Sequence, residues 1–169
     1  MNPDMDKILT DATDERKYRE TVIAGIGNPY RSDDGLGPKI ADEVAEITGI
    51  RNIGPISEPL DLLGRFDNVQ LAILVDAMQS SLSPGSIRVF DLNVPEAKTS
   101  VTSTHGIGLE RTIGLARVLE RAPEKIIVVG IEGESFTDGD QLSQPVADAL
   151  DDAVKIINQI ILSEWDYCL

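Results

Sequence analysis

The fold is decided by residues 22–38, which read VIAGIGNPYRSDDGLGP. The stretch begins with apolar residues, continues through a glycine-rich segment that contains Asp33 and Asp34, and ends at Pro38. Beyond it, apolar residues recur at spacings of three and four, which predicts an amphipathic helix over 37–48 with Pro38 in its first turn. The sequence therefore predicts a strand, a glycine-rich loop and a helix in that order.

A loop between a strand and a helix has two common uses in α/β proteins. It can bind a phosphate on backbone N–H groups, or it can hold side chains over the carboxyl edge of the sheet. Asp33 and Asp34 place negative charge where a phosphate would lie, which favours a cationic ligand such as a metal ion. The alternative is that one aspartate only caps the helix.

Composition limits the classes of partner. The chain of 169 residues carries 15 basic and 29 acidic residues, a net charge of −14, which disfavours nucleic acid and anionic membranes. Cys168 is the only cysteine and can form no internal disulfide, as expected in a reducing compartment. The longest apolar run, 126–131, is far shorter than the roughly 20 residues that span a bilayer, and no signal-peptide pattern is present. We therefore expect a cytoplasmic protein without membrane or nucleic-acid partners.

The order of elements predicts the architecture. Residues 1–20 are half charged and lack apolar periodicity, which predicts a flexible charged arm before a single domain over 21–169. The predicted strands are 21–24, a weak edge strand within 50–57, 71–75, 87–92 and 125–131. The predicted helices are 37–48, 59–66, 108–121 and 145–162. The alternation predicts an α/β fold, a three-layer α/β/α sandwich with a mostly parallel, mixed central sheet.

Finer predictions concern three of these elements. The continuous apolar run 71–75 is typical of a strand covered on both faces and is expected at the centre of the sheet. The strand 87–92 is predicted to be antiparallel, because no long crossover precedes it. In the short helix 59–66, Leu60 and Leu63 are expected to point inward, with Leu62 as a further candidate.

Three residues can meet at the carboxyl edge of this sheet, where ligands of such folds bind. Asp34 follows the first strand, Asp76 is the first residue after the run 71–75, and His105, the only histidine, stands before a predicted helix. Two carboxylates and one imidazole can form a metal site with open coordination positions. Spacing alone leaves two alternatives open, Asp76 as a turn residue and His105 as a surface residue.

Nucleophilic catalysis finds less support in the sequence. No G-x-S-x-G motif occurs, Cys168 lies next to the C-terminus, and Ser103 is too near His105 in the chain for triad geometry. Hydrolysis is therefore expected to use a metal or a general base, since a bound divalent ion lowers the pKa of its water from about 15.7 towards ~7. A nucleotide-binding domain is disfavoured, because the loop lacks a phosphate-facing cation.

Five sequence blocks resemble the hydrogenase maturation protease family over about residues 21–162. They are GIGNPYRSDDGLG, LVDA, STHGIGL, VVGIEG and FTDGDQLSQPV. The resemblance implies a phosphorylase/hydrolase-like α/β/α fold. It also implies an endopeptidase that removes the C-terminal extension of a nickel-iron hydrogenase large-subunit precursor after nickel insertion.

The resemblance further implies the roles of the site residues. Asp34, Asp76 and His105 match the metal ligands of the family, and nickel is expected to come with the substrate, with cadmium or zinc able to substitute. As catalytic groups we expect Asp34 or Asp33, or a metal-activated water. Two features depart from the family pattern: Asp34 stands where several members have Glu, and Pro29-Tyr30 replaces a commoner aliphatic pair.

Two other functions stay open at this point. GIGNPY also resembles the opening of peptidyl-tRNA hydrolases, although Asp33 and Asp34 stand where those enzymes carry a histidine and the net charge opposes RNA binding. A non-cleaving nickel-checking or metal-binding module could use the same three ligands. Glu132, Glu134 and Phe136 are candidate substrate contacts, with a solvated loop as the alternative.

Overall fold

A computed structural model describes residues 20–93 and 106–166. Its strands, in chain order, are β1 (Thr21–Gly25), β2 (Arg51–Asn52), β3 (Leu71–Met78), β4 (Ile87–Asp91) and β5 (Lys125–Glu132). Its α-helices are α1 (Leu36–Thr48), α2 (Gly106–Val118) and α3 (Gln144–Asp166), and its 3-10 helices are Ser32–Gly35 and Pro59–Gly64. None of these helices is both long enough and apolar enough to cross a membrane.

The described strands form one sheet in the order β2-β1-β3-β5-β4. The pairs β1–β2, β1–β3 and β3–β5 are parallel, whereas β4 runs antiparallel to β5. Every residue of β3 is buried, as expected for a strand covered on both faces. The mixed, mostly parallel sheet, the central position of β3 and the antiparallel β4 are all as predicted.

Apolar side chains pack on both faces of the sheet and make the three layers. On one face, Leu109 and Ile113 of α2 and Leu62 of the second 3-10 helix pack on even-numbered residues of β3. On the other face, α1 and α3 contribute Ile40, Val44, Val146 and Ile157. Because side chains alternate along a strand, each strand divides its apolar residues between the two cores.

Two local predictions are wrong. β3 does not end at residue 75 but runs to Met78, so Asp76 lies within the strand and not after it. The predicted short helix 59–66 is present as the 3-10 helix Pro59–Gly64, but Leu60, which was expected to point inward, is 62% exposed. Leu62 is fully buried and Leu63 is partly buried against the core. The predicted arm 1–20, Ser103, His105 and Cys168 fall outside the described residues, except for Glu20.

The amino end of α1 is in close contact with the carboxyl edge of the sheet. A Cβ on Gly25 would lie 2.2 Å from the backbone of Gly37 and Pro38, and a Cβ on Gly37 would lie 2.5 Å from the Val75 carbonyl oxygen. Only glycine permits this approach of helix backbone to strand backbone. The contact fixes the connecting loop directly over β1 and β3.

Lys125 links the start of β5 to two other elements. Its Nζ donates to Glu164 Oε1 at 2.6 Å and lies 3.5 Å from Asp91 Oδ2. The hydrogen bond with Glu164 is the main reason that the pKa of Lys125 is raised above 10.5, and partial burial opposes it.

This raised pKa predicts how stability depends on alkaline pH. A folded-state pKa above the unfolded value stabilises the protein below the unfolded value of 10.5, and the contribution is lost as pH rises through the folded value. We expect Lys125→Met to have a lower free energy of unfolding than wild type at neutral pH. The difference between the two proteins should shrink at alkaline pH, and urea titrations at neutral and alkaline pH measure it. Lys155→Met, which removes an exposed pair with Asp152 at 3.1 Å, is the control expected to change little. A deficit of Lys125→Met that is independent of pH would contradict this reading.

Candidate active site

The first loop, residues 26–35, carries two buried aspartates at the carboxyl end of β1. Asp33 and Asp34 lie in the 3-10 helix Ser32–Gly35 and are 0% and 2% exposed. Ser32 has a φ of 48°, an uncommon conformation for a residue other than glycine. The turn is therefore held by specific contacts and not by local preference alone.

Asp34 is oriented by the residues that precede it in the loop. Its Oδ2 accepts a hydrogen bond from the Asn28 N–H at 2.8 Å, and its own N–H donates to the Arg31 carbonyl at 3.1 Å. Gly27 has a φ of +128°, and a Cβ there would lie 2.0 Å from the Asp34 carbonyl oxygen. Glycine at position 27 thus lets the backbone pass close to Asp34.

Asp76 lies at the same edge of the sheet as Asp34, on the neighbouring strand. It is fully buried, pairs in register with Gly130 of β5 and shares a face with Leu74 and Met78, the face that α2 covers. The Ile26 N–H donates to the Val75 carbonyl at 2.8 Å, which ties the start of the first loop to the residue before Asp76. The structure therefore brings two of the three predicted ligands to the carboxyl ends of adjacent parallel strands.

The third predicted ligand, His105, lies outside the described residues, but the helix that follows it is well defined. Arg117, near the end of α2, donates to the Leu92 carbonyl at 2.9 Å, and the Leu92 N–H donates to Ile126 at the amino end of β5. At a rise of 1.5 Å per residue, the first residue of α2 lies about 16 Å back from Arg117 along the helix axis. There a Cβ on Gly108 would lie 3.2 Å from Pro59, close to the carboxyl edge. The chain enters α2 on the side of the sheet that carries Asp34 and Asp76.

The Asp33 carboxylate accepts all of its hydrogen bonds from the second loop, residues 133–143. Its Oδ2 accepts hydrogen bonds from the N–H groups of Glu134 and Ser135, both at 2.8 Å. Ser143 adds its N–H to Oδ1 at 2.7 Å and its hydroxyl to Oδ2 at 2.8 Å. Burial by itself raises the pKa of Asp33, but the hydrogen bonds from Ser135, Glu134 and Ser143 outweigh it and hold the pKa below the ordinary value of 3.8.

Further hydrogen bonds join the backbones of the two loops. The Ser32 N–H donates to the Gly139 carbonyl at 2.7 Å, the Gly139 N–H donates to the Tyr30 carbonyl at 2.9 Å, and the Asp33 N–H donates to the Ser135 carbonyl at 3.0 Å. The Ser32 hydroxyl donates to the Thr137 carbonyl at 3.0 Å. The first and second loops therefore form one hydrogen-bonded layer over the carboxyl edge.

The candidate substrate contacts Glu132, Glu134 and Phe136 differ in their surroundings. Glu132 is the last residue of β5 and is 3% exposed. Its carboxylate accepts two hydrogen bonds from Ser80, one from the Ser80 N–H at 2.8 Å and one from the Ser80 hydroxyl at 2.7 Å. Phe136 is partly buried against the core, whereas Glu134 is exposed. The solvated-loop alternative is thus wrong for Glu132, and the role of these residues as substrate contacts stays a prediction.

Three contributors to the site were missed from the sequence. Asn28 holds Asp34 and also accepts the Tyr30 N–H on its Oδ1 at 2.9 Å, an Asx turn that the N-P dipeptide could have signalled. Ser143 precedes α3 and resembles a helix cap, but its hydroxyl donates to Asp33. Ser80 carries no sequence signal for its contact with Glu132.

Two buried carboxylates are a suitable partial ligand set for a divalent ion. Carboxylate oxygens bind zinc at about 2.0–2.2 Å and are common ligands of transition metals in proteins, usually together with imidazole. Within residues 20–93 and 106–166, Asp34 and Asp76 are not completed to a group of three metal-ligating side chains. The sequence predicts His105 as the third ligand, and this ligand set stays a prediction.

Comparison with known proteins identifies the family. A family profile described as hydrogenase maturation protease matches residues 57–160, more than half of the chain. The chain belongs to the hydrogenase maturation protease family. It is accordingly an endopeptidase, a hydrolase of peptide bonds that processes hydrogenase precursors.

Individual family members match over most of the domain. A Methanocaldococcus jannaschii protein provisionally named a hydrogenase maturation protease is 29% identical over 150 residues, 83% of this chain and 96% of the relative. The Escherichia coli hydrogenase maturating endopeptidase HybD has a TM-score of 0.74 at 21% identity, over 86% of this chain and 93% of the other. The [NiFe] hydrogenase maturation protease HybD from Thermococcus kodakarensis has a TM-score of 0.72 at 24% identity, over 84% and 99%. The two structural matches establish the same three-layer fold.

Proposed function

We propose that this maturation protease removes the C-terminal extension of a nickel-iron hydrogenase large-subunit precursor only after nickel has been inserted. Asp34, Asp76 and His105 bind the nickel that the precursor carries, so that a filled metal site is distinguished from an empty one. The observation that supports this proposal is the placement of two buried carboxylates at the carboxyl ends of the adjacent strands β1 and β3.

Burial strengthens the preference of this edge for a cation. Asp34 and Asp76 are 2% and 0% exposed, so a charge beside them is screened by water far less than it would be at the surface. A precursor with an empty nickel site brings no compensating positive charge, and docking it against two desolvated carboxylates is disfavoured. Nickel therefore contributes binding energy that an unfinished precursor lacks.

The same geometry supports hydrolysis without a protein nucleophile. A divalent ion polarises a nearby carbonyl group and makes water a better nucleophile. Asp34 accepts a proton as the water oxygen bonds to the scissile carbonyl carbon. The proton then passes to the leaving amine as the C–N bond breaks, which releases the C-terminal peptide and regenerates the carboxylate. The catalytic role predicted for Asp33 is replaced below by a different one.

Substitution of His105 tests the predicted third ligand. We expect His105→Ala to cut cleavage of a nickel-loaded precursor by at least about 100-fold without unfolding the domain, because it removes the imidazole ligand. The measurement is the intact mass of the precursor after incubation, with circular dichroism to monitor folding. A folded His105→Ala protein that cleaves like wild type would exclude the ligand role. If the wild type binds the loaded precursor and never cleaves it, the proposed role of nickel as the signal for cleavage is wrong.

A further inference from the structure

The segment that leads into Asp34 is anchored to a distant part of the chain. Both Ser32 and Asp33 donate their N–H groups to carbonyls of the second loop, and the Ser32 hydroxyl does the same. The Asp33 carboxylate adds four hydrogen bonds from donors that lie 101 to 110 positions later in the sequence. Asp34 follows directly in the chain, and its own carboxylate is held by Asn28.

Four donors bind one carboxylate, which offers about four lone-pair sites: three bind Oδ2 and one binds Oδ1. Asp33 is also fully buried, within a layer closed by the Gly139 and Ser135 backbone contacts. A general base needs an acceptor site that faces the substrate, and Asp33 presents its acceptors to the second loop. The charge of Asp33 is thus devoted to internal hydrogen bonding.

We propose that Asp33 is a positioning residue, which holds the first loop against the second so that Asp34 keeps the orientation needed to bind nickel and accept the proton. This role rests on the proposed function and replaces the catalytic role predicted for Asp33. Functional groups must be held within about 0.5 Å of their productive geometry, and supporting hydrogen bonds supply that precision. The second loop is then a structural part of the active site even if none of its side chains contacts the precursor.

Amide hydrogen exchange on the protein alone tests the first step. In Asp33→Asn, an NH2 group replaces one acceptor oxygen, and we expect exchange in residues 28–35 and 133–143 to accelerate at least tenfold while β3 and β5 keep their wild-type rates. Ser135→Ala is the matched control, because the Ser135 side chain contacts the Thr137 hydroxyl and not Asp33, to which only its backbone N–H donates. Unchanged exchange in residues 28–35 of Asp33→Asn overturns the proposal.

Kinetics on a nickel-loaded precursor test the second step. We expect Asp33→Asn to lower kcat at least tenfold and also to raise KM, since a misplaced Asp34 accepts the proton less well and contributes less to nickel binding. Ser143→Ala removes one of the four hydrogen bonds and should lower kcat by a smaller factor, and Ser143→Thr, which keeps a hydroxyl donor, should restore it. If Asp33 only stabilised the fold, Asp33→Asn would reduce the fraction of folded protein and nothing else. A kcat calculated from the concentration of active enzyme corrects for that fraction and would then equal the wild-type value.

The outcomes separate this inference from the proposed function. If wild type cleaves the loaded precursor and Asp33→Asn has the same corrected kcat, the positioning role is wrong and the proposed function stands. If wild type cleaves no loaded precursor, the proposed function fails, and the role of Asp33 towards Asp34 fails with it. Faster exchange in both loops together with a lower kcat supports the proposal.

Discussion

Asp76→Asn is expected to lower kcat/KM for a nickel-loaded precursor by at least about 100-fold while the domain stays folded. Asn has nearly the size of Asp but no charge, so it is a poor ligand for a divalent ion. Asp76 is fully buried on the face covered by α2, and no side chain at the neighbouring in-register position, Gly130, can replace it. The measurement is the rate of appearance of the shortened precursor by intact mass, with thermal unfolding monitored in parallel.

Asp67→Asn is the matched control for this substitution. Asp67 makes an exposed ion pair with Arg121 at 3.5 Å, and its side chain is 64% exposed. Neutralising it removes one negative charge from the protein without touching the sheet edge, so cleavage should stay within about twofold of wild type. Equal losses in Asp67→Asn and Asp76→Asn would show that overall charge, and not a ligand, determines the rate.

Gly25→Ala is expected to give the largest loss of stability, about 3 kcal/mol or more. The added Cβ would lie 2.2 Å from the carbonyl carbon of Gly37 and from the nitrogen of Pro38, both backbone atoms that cannot rotate away. The helix must shift from the strand edge, which also moves the loop that carries Asp34. Urea unfolding should therefore show a large fall in midpoint, accompanied by loss of cleavage in the protein that remains folded.

Gly64→Ala is the control for the loss of glycine flexibility in the unfolded chain. Gly64 is exposed at the end of the 3-10 helix Pro59–Gly64, and a Cβ there meets nothing within 4 Å. The effect of glycine replacement on the unfolded state is common to both variants, so the difference between them reports the clash alone. Equal unfolding midpoints for Gly25→Ala and Gly64→Ala would contradict the close approach of α1 to β1.

The layered fold could be predicted because its determinants are local. The apolar run at the start of β3 has no polar face, as expected of a strand buried on both sides. Gly49 directly follows the predicted helix 37–48, and it adopts a φ of 76° with its N–H bonded to the Ala45 carbonyl. Periodicity and turn residues act over a few positions, so one sequence is enough to detect them.

The boundaries of the elements were harder to predict from the sequence. Apolar residues indicate which positions are buried, whereas backbone hydrogen bonds determine where a strand or helix ends. A charged residue at position 76 suggested the end of a strand, but the ladder between β3 and β5 continues to the pair Met78–Glu132. In the second 3-10 helix, three residues per turn change which leucines face the core, so Leu62 is buried and Leu60 is not. An aspartate buried within a strand is a stronger candidate for function than one at a strand end, since burial of a charged group costs stability.

The supporting contacts of the site could not be predicted from the sequence. The donors to Asp33 come from residues more than 100 positions away, and Glu132 contacts Ser80 across 52 positions. Such pairs leave no periodic pattern and are created by strand order, which places β1, β3 and β5 side by side. The candidate ligands could be named because they follow motifs, whereas their positioning network required the fold.

The proposed function requires that this protease bind nickel in the precursor before it cleaves the C-terminal extension. The most direct measurement is the intact mass of a hydrogenase large-subunit precursor, nickel-loaded and nickel-free, after incubation with the wild-type protein. We expect the nickel-loaded precursor to lose a C-terminal peptide and the nickel-free precursor to retain it. Equal loss from both forms, or no loss from the loaded form, would contradict the proposed function.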